Sequence, residues 1–176
     1  MTTTVGKPVP RIDALDKVTG RAAYVGDLEI PGMVHGLILR SPWPHARVLS
    51  IDSTEAERLP GVLGVLTRDH LEGIDAYFGS VVRDRPIVAM DKVRYQGEPV
   101  AAVAARDLAT AQEALELIRV EYEELPLVSE MEEALVPGSP ALHETNLCAE
   151  QHYDWGDVEE GFSQSDRGFE DTFTFP

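Results

Sequence analysis

Only one cysteine, Cys148, occurs in 176 residues. A single thiol excludes an internal disulfide and fits a reducing compartment. No apolar run reaches the ~18 residues that a membrane-spanning helix needs. The opening stretch, residues 1–8, lacks the apolar core of a secretory signal. Together these absences predict a cytoplasmic protein. Cations are scarce as well: 15 Lys and Arg stand against 31 Asp and Glu, a formal net charge of -16. Such a surface repels phosphate backbones and anionic lipid, so neither nucleic acid nor a membrane is an expected partner. The imbalance is concentrated: residues 119–176 hold 15 acids and 2 bases, whereas residues 1–118 hold 16 and 13. The acidic half reads as a solubility feature first and as an electrostatic docking face second.

Catalytic signatures are missing too. The sequence contains no GxGxxG or GxxxxGK[ST] phosphate cradle and no GxSxG elbow. The histidines at 35, 45, 70, 143 and 152 form neither HExxH nor His-x3-His, and read as core or solvent residues. His152 near Asp154 and Asp157 offers only a loose cation site. Cys148 lies among acids, which disfavour a thiolate, and reads as a bystander. Carboxylate pairs such as Glu123-Glu124, Glu132-Glu133 and Glu159-Glu160 are too common to single out an acid and a base. Two strongly raised carboxyl pKa values in one cleft would be needed to support a hydrolase.

What is present is a chain long enough to bury roughly 70% of its unfolded surface. Its residues are 43% hydrophobic, ordinary for a globular protein. Residues 1–34 are rich in Pro and Gly and read as an extended arm, with a type II turn at Pro31-Gly32. Short strands are predicted at 34–40, 46–51, 62–67, 93–95, 100–105 and 120–125. A helix capped by Asp52 with Glu55 should run to Leu59, and Pro60-Gly61 should end it. Residues 68–90 read as loop with one helical turn after Thr67. Gln96-Gly97-Glu98-Pro99 is a tight turn with Gly97 left-handed. Asp107 caps the strongest helix, with Leu108, Ala111, Leu115 and Ile118 on one face. Ser129 with Glu132 predicts a further capped helix ending near Leu135. Beyond Ser139 the chain reads as irregular, ending in a strand-like run over Phe169, Thr172, Phe173 and Phe175. The order predicts an α+β fold, a mixed β-sheet with helices packed on it.

Several segments then become specific. Val5-Gly6-Lys7-Pro8-Val9-Pro10-Arg11-Ile12-Asp13-Ala14 is followed by residues 17–27, KVTGRAAYVGD. Pro31-Gly32-Met33, Leu39-Arg40-Ser41-Pro42 and Pro60-Gly61-Val62 come next. Residues 91–101 read DKVRYQGEPVA, residues 120–126 read VEYEELP, and Gly156-Asp157-Val158 closes the series. In this order they resemble the N-terminal a/b hammerhead domain of the molybdopterin-binding large subunit of xanthine dehydrogenase and aldehyde oxidase type enzymes. The resemblance implies a hammerhead domain over residues 1–136 and an acidic irregular segment, 137–176, leading toward the molybdopterin-binding domain.

The same resemblance implies a holoenzyme with molybdopterin-bound molybdenum, [2Fe-2S] clusters and FAD. That enzyme would oxidise a heterocycle, an aldehyde or a similar small substrate with water-derived oxygen. The implied partners are the molybdopterin-binding remainder of the large subunit, an iron-sulfur subunit and an FAD subunit. The family's molybdenum-site residues lie in the region expected after this one. No catalytic, cofactor-binding or metal residue is therefore assigned here, and the chain alone is expected to be inactive. The alternative is a free-standing interaction module or gene remnant. At the matching positions Gly20, Gly32, Gly61 and Gly97 suit turns. Arg11, Arg21, Arg40 and Asp27 are candidates for buried or interfacial ion pairs, or else are simply exposed. Glu98 stands where the family often has Gln.

Overall fold

The structure is a computed structural model and describes residues 5–80 and 82–173. It divides into two compact units, Met1–Pro126 and Leu127–Pro176.

The first unit is built on eight strands: β1 (His35–Arg40), β2 (Ala46–Asp52), β3 (Val62–Leu66), β4 (Tyr77–Phe78), β5 (Arg85–Pro86), β6 (Lys92–Val93), β7 (Pro99–Ala105) and β8 (Arg119–Glu124). Three helices accompany them: α1 (Ala14–Val18), α2 (Thr54–Arg58) and α3 (Leu108–Leu117). The strands form one sheet of order β1-β7-β3, a second of order β6-β2-β8, and a β4-β5 ribbon. The α+β class is as expected, but the pairing is not mixed: among the described residues every pair of strands is antiparallel. The reason lies in the connections. A helical crossover forces parallel strands only when it returns to its own sheet. Here α2 carries the chain from β2 to β3, and α3 carries it from β7 to β8. Each crossover changes sheet.

Strand β7 belongs to two cores at once. Ala101 and Val103 point into a cluster with Ala56, Val65, Ala114 and Ile118, beneath α2 and α3. Val100 points the other way, toward Ala46, Val48, Ala89 and Val93. Successive side chains on a strand face opposite sides, so a strand between two cores must be apolar at nearly every position. The sequence Pro-Val-Ala-Ala-Val-Ala-Ala meets that need.

Helix α3 forms as predicted. Asp107 Oδ1 accepts from the Thr110 amide at 2.8 Å, and Ala111, Ala114 and Ile118 face inward, while Leu108 is half exposed. Gly61, with φ +102, approaches its first turn: a Cβ there would lie 3.2 Å from Thr110 Cγ2. Helix α2 starts later than expected, because β2 keeps its extended course through Asp52. Asp52 Oδ1 therefore accepts from the Thr54 amide, Ser53 takes the cap position, and the Asp52/Glu55 capping box does not form. The Pro31-Gly32 turn is present: Gly32 has φ +80 and the Met33 amide donates to Ile30 O. Expected loop at 68–90 contains a 3-10 turn at Arg68–Leu71 and the β4-β5 ribbon, whose two-residue strands are too short to leave an alternating pattern.

The second unit holds two short helices, α4 (Met131–Ala134) and α5 (Val158–Ser163). Glu130 occupies the cap of α4 without a side-chain bond, so the Ser129/Glu132 box is absent. Helix α5 lies where irregular chain was expected; Asp157 Oδ1 accepts the Glu160 amide at 2.9 Å and starts it. Residues 169–173 are not strand, and Phe175 lies outside the described residues. Asn146 organises the intervening loop, donating to Ala134 O and Pro140 O and accepting from the Leu142 amide.

Candidate functional site

The chemically distinctive residues of the first unit meet where the two sheets exchange strands. The turn after β6 does not make a hairpin, since β6 pairs with β2 and β7 with β1 and β3. It instead hands the chain from one sheet to the other, and Gly97 at φ +94 allows the reversal. Ser41 follows β1 and locks this turn through two backbone bonds: its amide donates to Glu98 O, and the Gly97 amide donates to Ser41 O, each at 2.9 Å. Arg40 Nη1 donates to Gly97 O at 2.8 Å.

Glu98 is buried, with 2% of its surface exposed. One carboxylate oxygen accepts the Arg94 amide, and the other lies 3.5 Å from Arg94 Nη1. Arg94 is itself largely buried; its guanidinium also donates to Lys92 O and reaches Asp91 Oδ1 at 3.2 Å. Arg94–Glu98 is thus a buried ion pair of this unit. Of the arginines selected from the sequence, Arg40 reaches this turn at Gly97 O, whereas Arg11 pairs with Asp13 and Arg21 lies 3.7 Å from Asp16, all exposed. Asp27 accepts the Tyr24 amide. Partial burial, together with the neighbouring Arg94, lowers the ammonium pKa of Lys92. Burial raises the Tyr122 phenol, and its hydrogen bond with Ser41 offsets part of that rise.

A second staple has no counterpart in the sequence-based expectations. Arg68 Nη1 donates to Val48 O at 2.8 Å and Met90 O at 3.0 Å, and Nη2 donates to Leu49 O at 3.0 Å. Two of these carbonyls, Val48 O and Leu49 O, lie at the irregularity between Val48 and Ser50, where β2 slips against β8. A bulge frees carbonyls from the ladder, and a forked cation satisfies them. An isolated Arg at the start of a loop carries no sequence signal for that role.

None of these groups is arranged as a reaction centre. Of the five histidines, His45 is buried; His70 Nδ1 accepts the Thr67 amide, and His152 lies 3.2 Å from Asp154. No three His, Cys, Asp or Glu side chains converge on a metal-sized site among the described residues. Asp13, Asp52 and Asp107 are held below the ordinary carboxyl value, first by the side chains of Lys17 and Thr54 and by the Thr110 amide respectively. A general acid needs the opposite shift. Cys148 is exposed. No helix is long and apolar enough to cross a membrane among the described residues.

What the surface does display is apolar side chains. Along the arm before β1, Ile12, Leu15, Val18 and Val25 project into solvent. In the second unit, Tyr153, Trp155, Phe162, Phe169 and Phe173 do the same, with Trp155 96% exposed.

Residues 19–126 match the family described as aldehyde oxidase and xanthine dehydrogenase, a/b hammerhead domain. A probable xanthine dehydrogenase subunit from Bacillus subtilis (strain 168) is 44% identical over 94% of this chain and 22% of its own length. The nicotinate dehydrogenase large molybdopterin subunit of Eubacterium barkeri is 40% identical over 97% of this chain and 40% of its own. Among solved structures, CO dehydrogenase from Oligotropha carboxidovorans matches with a TM-score of 0.72 and 36% identity, over 77% of this chain and 17% of that one. Quinoline 2-oxidoreductase from Pseudomonas putida 86 matches at 0.70 and 38% identity, over 78% and 18%. The chain therefore spans well under half the length of these relatives. With the hammerhead fold, its two interlocked sheets and this identity, the chain belongs to the aldehyde oxidase and xanthine dehydrogenase a/b hammerhead family and corresponds to a segment of its large subunits.

Proposed function

We propose that the chain is a non-catalytic scaffold domain of the molybdopterin-binding subunit of a molybdenum hydroxylase. The assembled enzyme would oxidise a heterocycle, an aldehyde or a similar small substrate with water-derived oxygen. Molybdopterin-bound molybdenum would sit in the remainder of the large subunit, and [2Fe-2S] clusters and FAD in partner domains or subunits. The observation that carries this reading is the set of large apolar side chains exposed on each unit. Side chains such as Trp155 and Ile12 are then docking groups. In this scheme residues 1–136 form the hammerhead and residues 137–176 lead toward the cofactor-binding part.

The residues present do not fit the cofactor. Its pyrophosphate calls for a glycine-rich cradle of free backbone amides, and a net charge of -16 works against any phosphate. Glu98 is committed to Arg94, and Arg68 to three carbonyls. No catalytic step is assigned to this chain.

The test is reconstitution with the remaining parts of the enzyme. The triple change Glu159→Gln, Glu160→Gln and Glu170→Gln removes three charges from the second unit, where these residues are exposed. It should weaken assembly in pull-down and make what assembly remains less sensitive to salt. Assembly of equal strength would count against the docking role of this segment.

A further inference from the structure

One buried group has a use that neither the fold nor the docking surface explains. His45 lies just before β2 and is 4% exposed. Its Nδ1 is 2.6 Å from the carbonyl oxygen of Pro126, 81 residues away in sequence. A carbonyl can only accept, so Nδ1 must carry the proton. Nε2 is buried and has no hydrogen-bond partner among the described residues. On the other side of the same residue, His45 O accepts the Leu125 amide at 3.0 Å. The regular ladder between β2 and β8 reaches its last pair at Ala46 and Glu124. His45 thus adds two bonds beyond the end of that ladder, one from the backbone and one from the ring. They fall on the last two residues of the first unit, which ends at Pro126.

We propose that His45 is a clasp, held as its Nδ1–H tautomer, that ties the chain's exit from β8 to the entry of β2 and so sets Leu127 as the first residue free to turn. Pro126 O lies beyond the last pair of the ladder, and the His45 ring supplies its donor. Histidine suits the position because its donor sits on the δ atom, close to the backbone. Asparagine can present an N–H from nearly the same place, whereas glutamine presents it one bond further out.

The experiment uses the 176-residue chain. The nitrogen spectrum of the wild-type imidazole should show the proton on Nδ1; a proton on Nε2 overturns the clasp. Amide exchange at Leu125 should quicken roughly tenfold in His45→Leu and His45→Gln, the change expected for one lost hydrogen bond. His45→Asn should stay within about threefold of wild type, and exchange at Val103 in β7 should be unaltered in all three. Unchanged Leu125 exchange in His45→Leu refutes the proposal. So does a parallel rise at Val103, which would mark general destabilisation. If His45→Leu does not fold, the wild-type tautomer and the contrast between the Asn and Gln variants still decide.

Discussion

Removing the carboxylate of Glu98 should be among the most damaging single changes in the first unit. At 3.5 Å from Arg94 Nη1, and with an effective dielectric of ~20, its attraction to the guanidinium is roughly 5 kcal/mol. Most of that is offset by the cost of desolvating both charges, so the pair adds little net stability. Deleting Glu98 is different: the Arg94 amide loses its acceptor, and the guanidinium stays largely buried with only the exposed Asp91, 3.2 Å away, as counter-charge. Glu98→Ala should therefore cost about 3–5 kcal/mol, out of a total stability of about twice that in a domain of this size. With a urea slope of ~2 kcal/mol/M, the midpoint should fall by about 2 M. Glu98→Gln keeps an oxygen to accept the Arg94 amide and should cost only about 1–2 kcal/mol. The double variant R94M/E98L should be milder than Glu98→Ala alone, since the stranded charge is gone. Urea unfolding followed by circular dichroism measures all three. A cost below ~1 kcal/mol for Glu98→Ala, or an R94M/E98L variant less stable than Glu98→Ala, would refute the reasoning.

Further outcomes follow from other contacts. Arg68→Ala strands three carbonyls and should cost about 3 kcal/mol in the same assay, whereas Arg68→Lys, with one donor group for three acceptors, should recover less than half. Gly61→Ala combines a left-handed φ with a tight approach to Thr110, and should cost about 2 kcal/mol; Gly97→Ala, whose Cβ would meet open space, should cost about 1 kcal/mol. Asp13, Asp52 and Asp107 have folded pKa values below the ordinary 3.8. The unfolded chain therefore takes up protons first, and their stabilising effect, complete above that value, is lost as pH falls through the folded ones. Thermal melting between about pH 5 and pH 2 should show this loss, and it should be smaller in Asp107→Asn.

The sequence disclosed the parts of the fold that depend on local rules. Helix α3 has its cap, its apolar face and its length written in consecutive residues, and β7 is legible as a run of small apolar side chains. Gly32 and Gly97 announce turns because few other residues adopt a positive φ. What it hid depends on distant partners. Antiparallel pairing could not be read from a β-α-β order, because nothing local says that α2 and α3 change sheet. Both missing capping boxes failed for a related reason: an N-cap is decided by where the preceding chain stops being extended, and tertiary pairing carries β2 through Asp52. The candidate site was the least legible. Glu98 was visible only as a departure from a family pattern, and Arg68 and His45 act on carbonyls with no sequence signature of their own.

The exchange of strands between the sheets also constrains how the domain can come into being. Strand β1 has no neighbour until β7 exists, far along the chain, and β2 has no long neighbour until β8. Neither sheet can be finished from a contiguous piece of chain. As the polypeptide leaves the ribosome, β1 and β3 must wait with open edges for β7, which ends at Ala105, and β2 must wait for β8, which ends at Glu124. Such a domain should assemble late, with no stable half to inherit, and a chain cut inside α3 would be left with β2 lacking its long partner.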